Sequence, residues 1–274
     1  MVGDGEHRTL VRAWRVIGRA LRRGLAGRVL PSALALALAA LPRAAQADCR
    51  LALALGLDVS ASVDADEYEL QRLGLAAALD APDVRHAILS GAPGDVALAV
   101  FEWSGFFQQT LHLDWTWLRS HADIDRARAA LAGMERGHDD FPTAIGQALG
   151  YGGALLARSP DCARRVLDLS GDGVHNHGYG PGAAYRNFPL REVTVNGLVI
   201  GPDPELEAYY RRNVLFGPAA FLIQTSDFAG FEAAMTRKLY REINDTMVGG
   251  LRRPAPRQLA LAMARDGRAN PHLQ

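Results

Sequence analysis

Three short segments carry oxygen-bearing side chains at the spots where a fold of this pattern would place a ligand. The first is Asp58-Val59-Ser60-Ala61-Ser62, directly after an apolar run. The second is Gly137-His138-Asp139-Asp140-Phe141-Pro142, which leads into Thr143. The third is Ser170-Gly171-Asp172-Gly173, after another apolar run. Carboxylates and hydroxyls together suit a hard cation such as Mg²⁺, which takes oxygen ligands in near-octahedral geometry. Asp58 and Asp172 offer carboxylates, while Ser60, Ser62 and Thr143 offer neutral oxygens. Two acids roughly balance a divalent charge, and an ion with few direct carboxylates stays electrophilic enough to accept one more from outside.

The elements that must position these groups are legible as periodicity. Residues 50–57 form an unbroken apolar run, the mark of a strand buried on both faces. Asp64 and Glu67 form a capping pair that opens a helix over 64–79. Strands follow at 95–103 and 109–114, with a short turn at Ser104-Gly105 that lets these two pair antiparallel. Helices are predicted at 123–134 and 143–157, strands at 166–170 and 193–200, a helix at 204–213, a strand at 219–224 and a last helix at 228–243. Strands alternating with helices give an α/β domain: a mostly parallel sheet with helices on both faces and the antiparallel strand at an edge. In such a sheet, ligands bind beyond the carboxyl ends of the strands, which brings all three segments to one rim.

Asp-x-Ser-x-Ser, a loop threonine ahead of a helix, and a strand-terminal Ser-Gly-Asp-Gly resemble, in that order, the metal-ion-dependent adhesion site of von Willebrand factor A (VWA) domains. The resemblance extends from Cys49 to Ile243. It is strongest to a branch of exported proteobacterial VWA-like proteins with a domain of unknown function, in which Glu-Trp ends the second strand, as Glu102-Trp103 does here. It implies a doubly wound six-stranded sheet of order 3-2-1-4-5-6. It implies one divalent cation, Mg²⁺ ahead of Mn²⁺ or Ca²⁺, on Asp58, Ser60, Ser62, Thr143 and Asp172. It also implies a binding module, not an enzyme, that takes an Asp or Glu of a protein partner. That strand order makes Cys49 and Cys162 neighbours at the opposite rim, where they can form a disulfide.

Other features fit around this reading. Residues 1–47 hold eight arginines against Asp4 and Glu6, then an apolar run from Val29 to Leu41 and Ala45-Gln46-Ala47, the form of a signal peptide and its cleavage site. The run is short for a bilayer span, so the membrane enters only if the signal stays uncleaved as an anchor. The product is expected in the periplasm or outside the cell. Without the segment the chain is acidic, which excludes a nucleic-acid binder. Residues 48–246 make the domain and 247–274 a tail rich in Gly, Pro and Arg. A hydrophobic content of 49% supplies a large core.

Glu102, Asp139 and Asp140 read as solvated loop residues, with a supporting role around the ion as the alternative. His175 and His177 read as part of a surface loop, since no third ligand stands at zinc spacing. Gly178–Gly182 reads as a flexible loop near the rim. Trp103, Trp115 and Trp117 read as core or sheet-edge packing ahead of an exposed patch. Two alternatives remain. A haloacid-dehalogenase-type phosphotransferase or hydrolase also uses Mg²⁺ and an Asp after the first strand. It needs a second Asp where Ser60 stands, and a lysine, of which the chain has only Lys238. A structural envelope component would use the ion to order its loops.

Overall fold

The computed structural model describes residues 49–244. The expected signal peptide (1–47), Asp48, the last residues of the expected domain (245 and 246) and the expected tail (247–274) lie outside the described residues. The central strand β1 (Cys49–Asp58) is buried along its whole length. It pairs in parallel with β2 (Asp95–Trp103) on one side and β4 (Cys162–Gly171) on the other. β3 (Gln109–Leu118) runs antiparallel outside β2. β5 (Val193–Ile200) and the short β6 (Leu222–Thr225) continue the other wing in parallel. The order is β3-β2-β1-β4-β5-β6, as the resemblance implies.

Seven helices flank the sheet among the described residues. On one face lie α1 (Ala65–Asp80), α2 (Pro82–Ser90), α3 (His121–Ala132) and α7 (Phe231–Asn244). On the other lie α4 (Ile145–Ala157), α5 (Pro181–Asn187) and α6 (Pro204–Asn213). The period-2 pattern of β1 sorts the two faces. Leu51, Leu53, Leu55 and Leu57 join the first core, while Ala52 and Ala54 join the second. Small residues on that second side admit bulk from the neighbouring strands. A methyl at Gly56 would lie 2.6 Å from Leu169 and 2.7 Å from the Phe101 ring.

The capping box predicted at Asp64 and Glu67 is present, with the Asp64 side chain accepting from Glu67 N at 2.8 Å. The structure adds two helices. α2 and α5 both begin at a proline; the sequence reading assigns no element to the first, and the second starts at the end of the stretch read as a flexible loop, Gly178–Gly182. Proline starts a helix without penalty, because its missing N–H falls where no intrahelical partner exists. Other boundaries shift: β3 runs on to Leu118, β4 begins at Cys162, and α4 begins at Ile145, two residues past Thr143. A 3-10 turn at Phe228–Gly230 precedes α7. Trp103 is fully buried, and Trp115 and Trp117 pack partly buried against the second core, which is the packing role.

Candidate metal centre

β1 delivers Asp58 as its last residue, and the chain then turns tightly over its own carboxylate. Ser60 N donates to Asp58 Oδ1 at 2.9 Å, and Val63 N donates to Ser60 O at 3.0 Å. The turn is held from outside. Val59 N donates to Trp103 O (2.9 Å) at the end of β2, and Ala61 N donates to Phe141 O (2.8 Å) in the loop before Thr143. Arg136 reaches the carbonyls of Val59, Ser60 and Val63 at 3.1, 3.3 and 2.7 Å. Gln71 of α1 donates to Asp58 O at 2.9 Å.

Thr143 sits between its loop and α4, two residues before the helix begins. A reciprocal pair braces it: Thr143 N donates to Asn176 Oδ1 (2.9 Å) and Asn176 N donates to Thr143 O (3.0 Å). Asn176 lies between the two histidines singled out in the sequence, and it is this residue, not His175 or His177, that builds the rim. Ala144 N donates to Ser104 O at 2.9 Å, which fixes the start of α4 against β2.

These supports bring the five residues predicted as ligands together as one chain of contacts. Thr143 Oγ1 donates to Ser60 Oγ at 3.2 Å, Ser60 Oγ lies 3.2 Å from Ser62 Oγ, and Ser62 Oγ donates to Asp172 Oδ1 at 2.8 Å. Asp58 and Ser60 are about 1% exposed. Asp58 Oδ2 is buried with no hydrogen-bond partner among the described residues, an expensive state for an ionised oxygen. Burial first, and the nearby Asp172 second, push the Asp58 carboxyl up to about 7. A cation would remove both penalties at once. No group of three or more His, Cys, Asp or Glu side chains among the described residues is placed to hold a metal ion. The donors here are two carboxylates and three hydroxyls, the chemistry of a hard ion.

Glu102 corrects the sequence reading. It is buried, not solvated, and accepts from Tyr68 Oη (2.6 Å) and Gly137 N (2.9 Å), with His112 Nε2 at 2.9 Å. Burial alone would raise its carboxyl. The hydrogen bonds from His112, Tyr68 and Gly137 outweigh burial and hold it below its ordinary value. Through Gly137 it anchors the loop that carries Arg136. Asp139 and Asp140 are exposed, as read from the sequence.

Sequence reasoning missed Tyr210. It lies on α6, fully buried, and its ring crosses β5 at Gly197, where a methyl would lie 3.2 Å from the ring. Its hydroxyl has no hydrogen-bond partner among the described residues. Burial first, then the charges of Asp58 and Asp172, hold the phenol well above its usual value, so it stays a donor. Nothing local in the sequence links it to Asp58, which stands far away along the chain.

A central parallel sheet in 3-2-1-4-5-6 order, with hydroxyls and acids gathered on its carboxyl rim, defines a VWA-like α/β domain. Solved structures share the fold. Proximal thread matrix protein 1 of the mussel byssus, in a structure with a zinc-occupied MIDAS motif, aligns at 17% identity with a TM-score of 0.52, covering 71% of this chain and 46% of that one. A von Willebrand factor type A protein from Catenulispora acidiphila aligns at 18% identity and a TM-score of 0.50, over 71% and 43%. The pilus adhesin SpaC from Lactobacillus rhamnosus GG aligns at 14% and 0.51, over 72% and 31%. This chain thus matches less than half the length of each of them, and at these identities the likeness is one of fold. No curated protein matches the sequence. Residues 48–247 match the family described as "Protein of unknown function (DUF1194)", and the chain belongs to that family.

Proposed function

We propose that this domain is a metal-dependent binding module. Asp58, Ser60, Ser62, Thr143 and Asp172 hold one divalent cation, Mg²⁺ or the related Mn²⁺ or Ca²⁺, and an Asp or Glu of a protein partner completes its coordination. The observation that carries the reading is the continuous run of oxygen contacts from Thr143 to Asp172 beside the buried, unpartnered Asp58 Oδ2. The zinc-occupied MIDAS motif of the mussel protein supports it by analogy of fold.

A phosphotransferase finds less support. Ser60 stands where that chemistry needs a second acid, and the only lysine is engaged with Asp168 and Glu242. An exported location, in the periplasm or beyond, fits the Arg-rich and apolar start of the sequence and the disulfide described below. No helix among the described residues is long and apolar enough to cross a membrane.

The test is the melting temperature of the protein in EDTA and in millimolar Mg²⁺, Mn²⁺ or Ca²⁺, beside Asp58→Ala. An ion that binds only the native state raises stability by mass action. The reading requires a rise in the intact protein that Asp58→Ala loses. No rise with any of the three ions sinks it. Metal-dependent capture by Asp- or Glu-bearing peptides, but not by their Asn or Gln forms, tests the partner chemistry.

A further inference from the structure

The Tyr210 hydroxyl and Asp58 Oδ2 share an unusual position. Both are buried, and neither has a hydrogen-bond partner among the described residues. Both face the same backbone position from opposite elements. A methyl added at Gly171, the last residue of β4, would lie 2.5 Å from Tyr210 Oη and 2.8 Å from Asp58 Oδ2. Two oxygens that close to one point are no farther apart than a single bridging water spans, about 5.5 Å from two ordinary O–H···O bonds. A phenol hydroxyl can donate, and an ionised carboxylate oxygen can accept. A buried donor and a buried acceptor left unmade are each costly, so a fold that keeps both next to a candidate ion site is holding them for a state in which they are used.

The approach is built in. Leu206 and Tyr210, four residues apart, form the buried face of α6. Gly197 of β5 leaves room for the ring to lie across the strand, and Gly171 leaves room for its tip. A side chain at either glycine would crowd Tyr210, meeting its ring at 3.2 Å from Gly197 and its hydroxyl at 2.5 Å from Gly171.

We propose that Tyr210 is a positioning residue for the cation site: its hydroxyl donates to Asp58 Oδ2, across no more than one water, and fixes that oxygen in the orientation the ion needs. The inference rests on the metal-site reading above and deepens it. Partners of this kind around metal ligands set ligand orientation, and their loss typically weakens metal binding by about 10–100-fold.

The experiment uses Tyr210→Phe in the full chain, which removes only the hydroxyl. Two quantities are measured: the Kd for Mg²⁺ and Mn²⁺ by calorimetry, and the melting temperature in EDTA. The proposal expects the two to move apart. Affinity falls at least about tenfold, while the metal-free protein melts at the same temperature or higher, because an unsatisfied buried polar group has been removed. Affinity equal to or tighter than wild type overturns it. So does a lower melting temperature in EDTA at unchanged Kd, the sign of a purely structural hydroxyl. Gly171→Ala, which sets a methyl between the two oxygens, is expected to weaken the ion as well, and normal affinity there also counts against the proposal. If the wild type binds neither ion, the metal-site reading falls and takes this one with it. If the wild type binds and Tyr210→Phe binds equally well, only this one falls.

Discussion

Cys49 and Cys162 stand directly opposite each other as the first residues of β1 and β4, bonded, with their Cα atoms 4.5 Å apart. The bond ties the two central strands at the end of the sheet opposite Asp58 and Gly171, so it bears on the fold and not on the rim. It closes a loop with a sequence separation of 113.

Replacing both cysteines by alanine therefore lowers stability by about 4 kcal/mol in the chain-entropy account. For a domain of this size that is roughly a 10 °C fall in melting temperature. The shift produced by Mg²⁺ persists in the variant. Thermal melts with and without a reductant read the first effect, and the same melts with and without metal read the second. Loss of the metal shift on reduction would show that the two rims are coupled.

Asp172→Asn separates ion binding from folding. Asp172 adds to the charge that Asp58 must bear without a cation. In EDTA the variant is expected to melt at the wild-type temperature or slightly above, because one of two close acids is neutral. With metal it gains little, and its affinity is weaker by more than about tenfold. A Kd like that of wild type removes Asp172 from the ligand set.

Glu102 gives the domain an acid-side dependence whose sign is fixed. Its carboxyl is held below the ordinary 4.5. Between the two values the unfolded chain binds more protons, so the stabilisation is fully present above about pH 4.5 and is lost as pH falls through the folded-state value. Glu102→Gln destabilises the protein at pH 7 by about 1–3 kcal/mol. The gap between wild type and variant narrows below pH 4.5. Urea midpoints across pH 3 to 7 test this, and a constant gap means the carboxylate is not what Tyr68, His112 and Gly137 hold.

Lys238 is the only lysine in the chain and is wholly buried, with Nζ 3.0 Å from Asp168 Oδ1 and 3.1 Å from Glu242 Oε1. Asn196 of β5 adds a hydrogen bond to Glu242 at 2.8 Å. Lys238→Met strands two buried acids and is expected to cost about 3–5 kcal/mol. Adding Asp168→Asn and Glu242→Gln restores part of the loss. Equal stability of the single and triple variants would show that the acids do not need the ammonium.

The parts legible in the sequence are those written in one short stretch. The leucine and alanine alternation of β1 states a strand buried twice over. Asp58, Ser60 and Ser62 declare themselves within five residues. Helices α2 and α5, nine and seven residues long, are too short to show an apolar period of their own, and each opens on a proline at a first helical position. Glu102 looked solvated because its three partners come from α1, β3 and a distant loop. Asn176 and Tyr210 owe their roles to tertiary approach alone. No local pattern marks an amide that braces Thr143 or a phenol that reaches over β5 to Asp58.

The burial of Lys238 also makes the protein a gauge of its own unfolding. A folded molecule presents no side-chain amine at its surface, since the single one is sealed between α7 and the sheet. An amine-directed reagent can modify that position only when α7 lifts away. The rate of labelling at Lys238 thus reads the opening of this layer directly, without any probe having to be introduced.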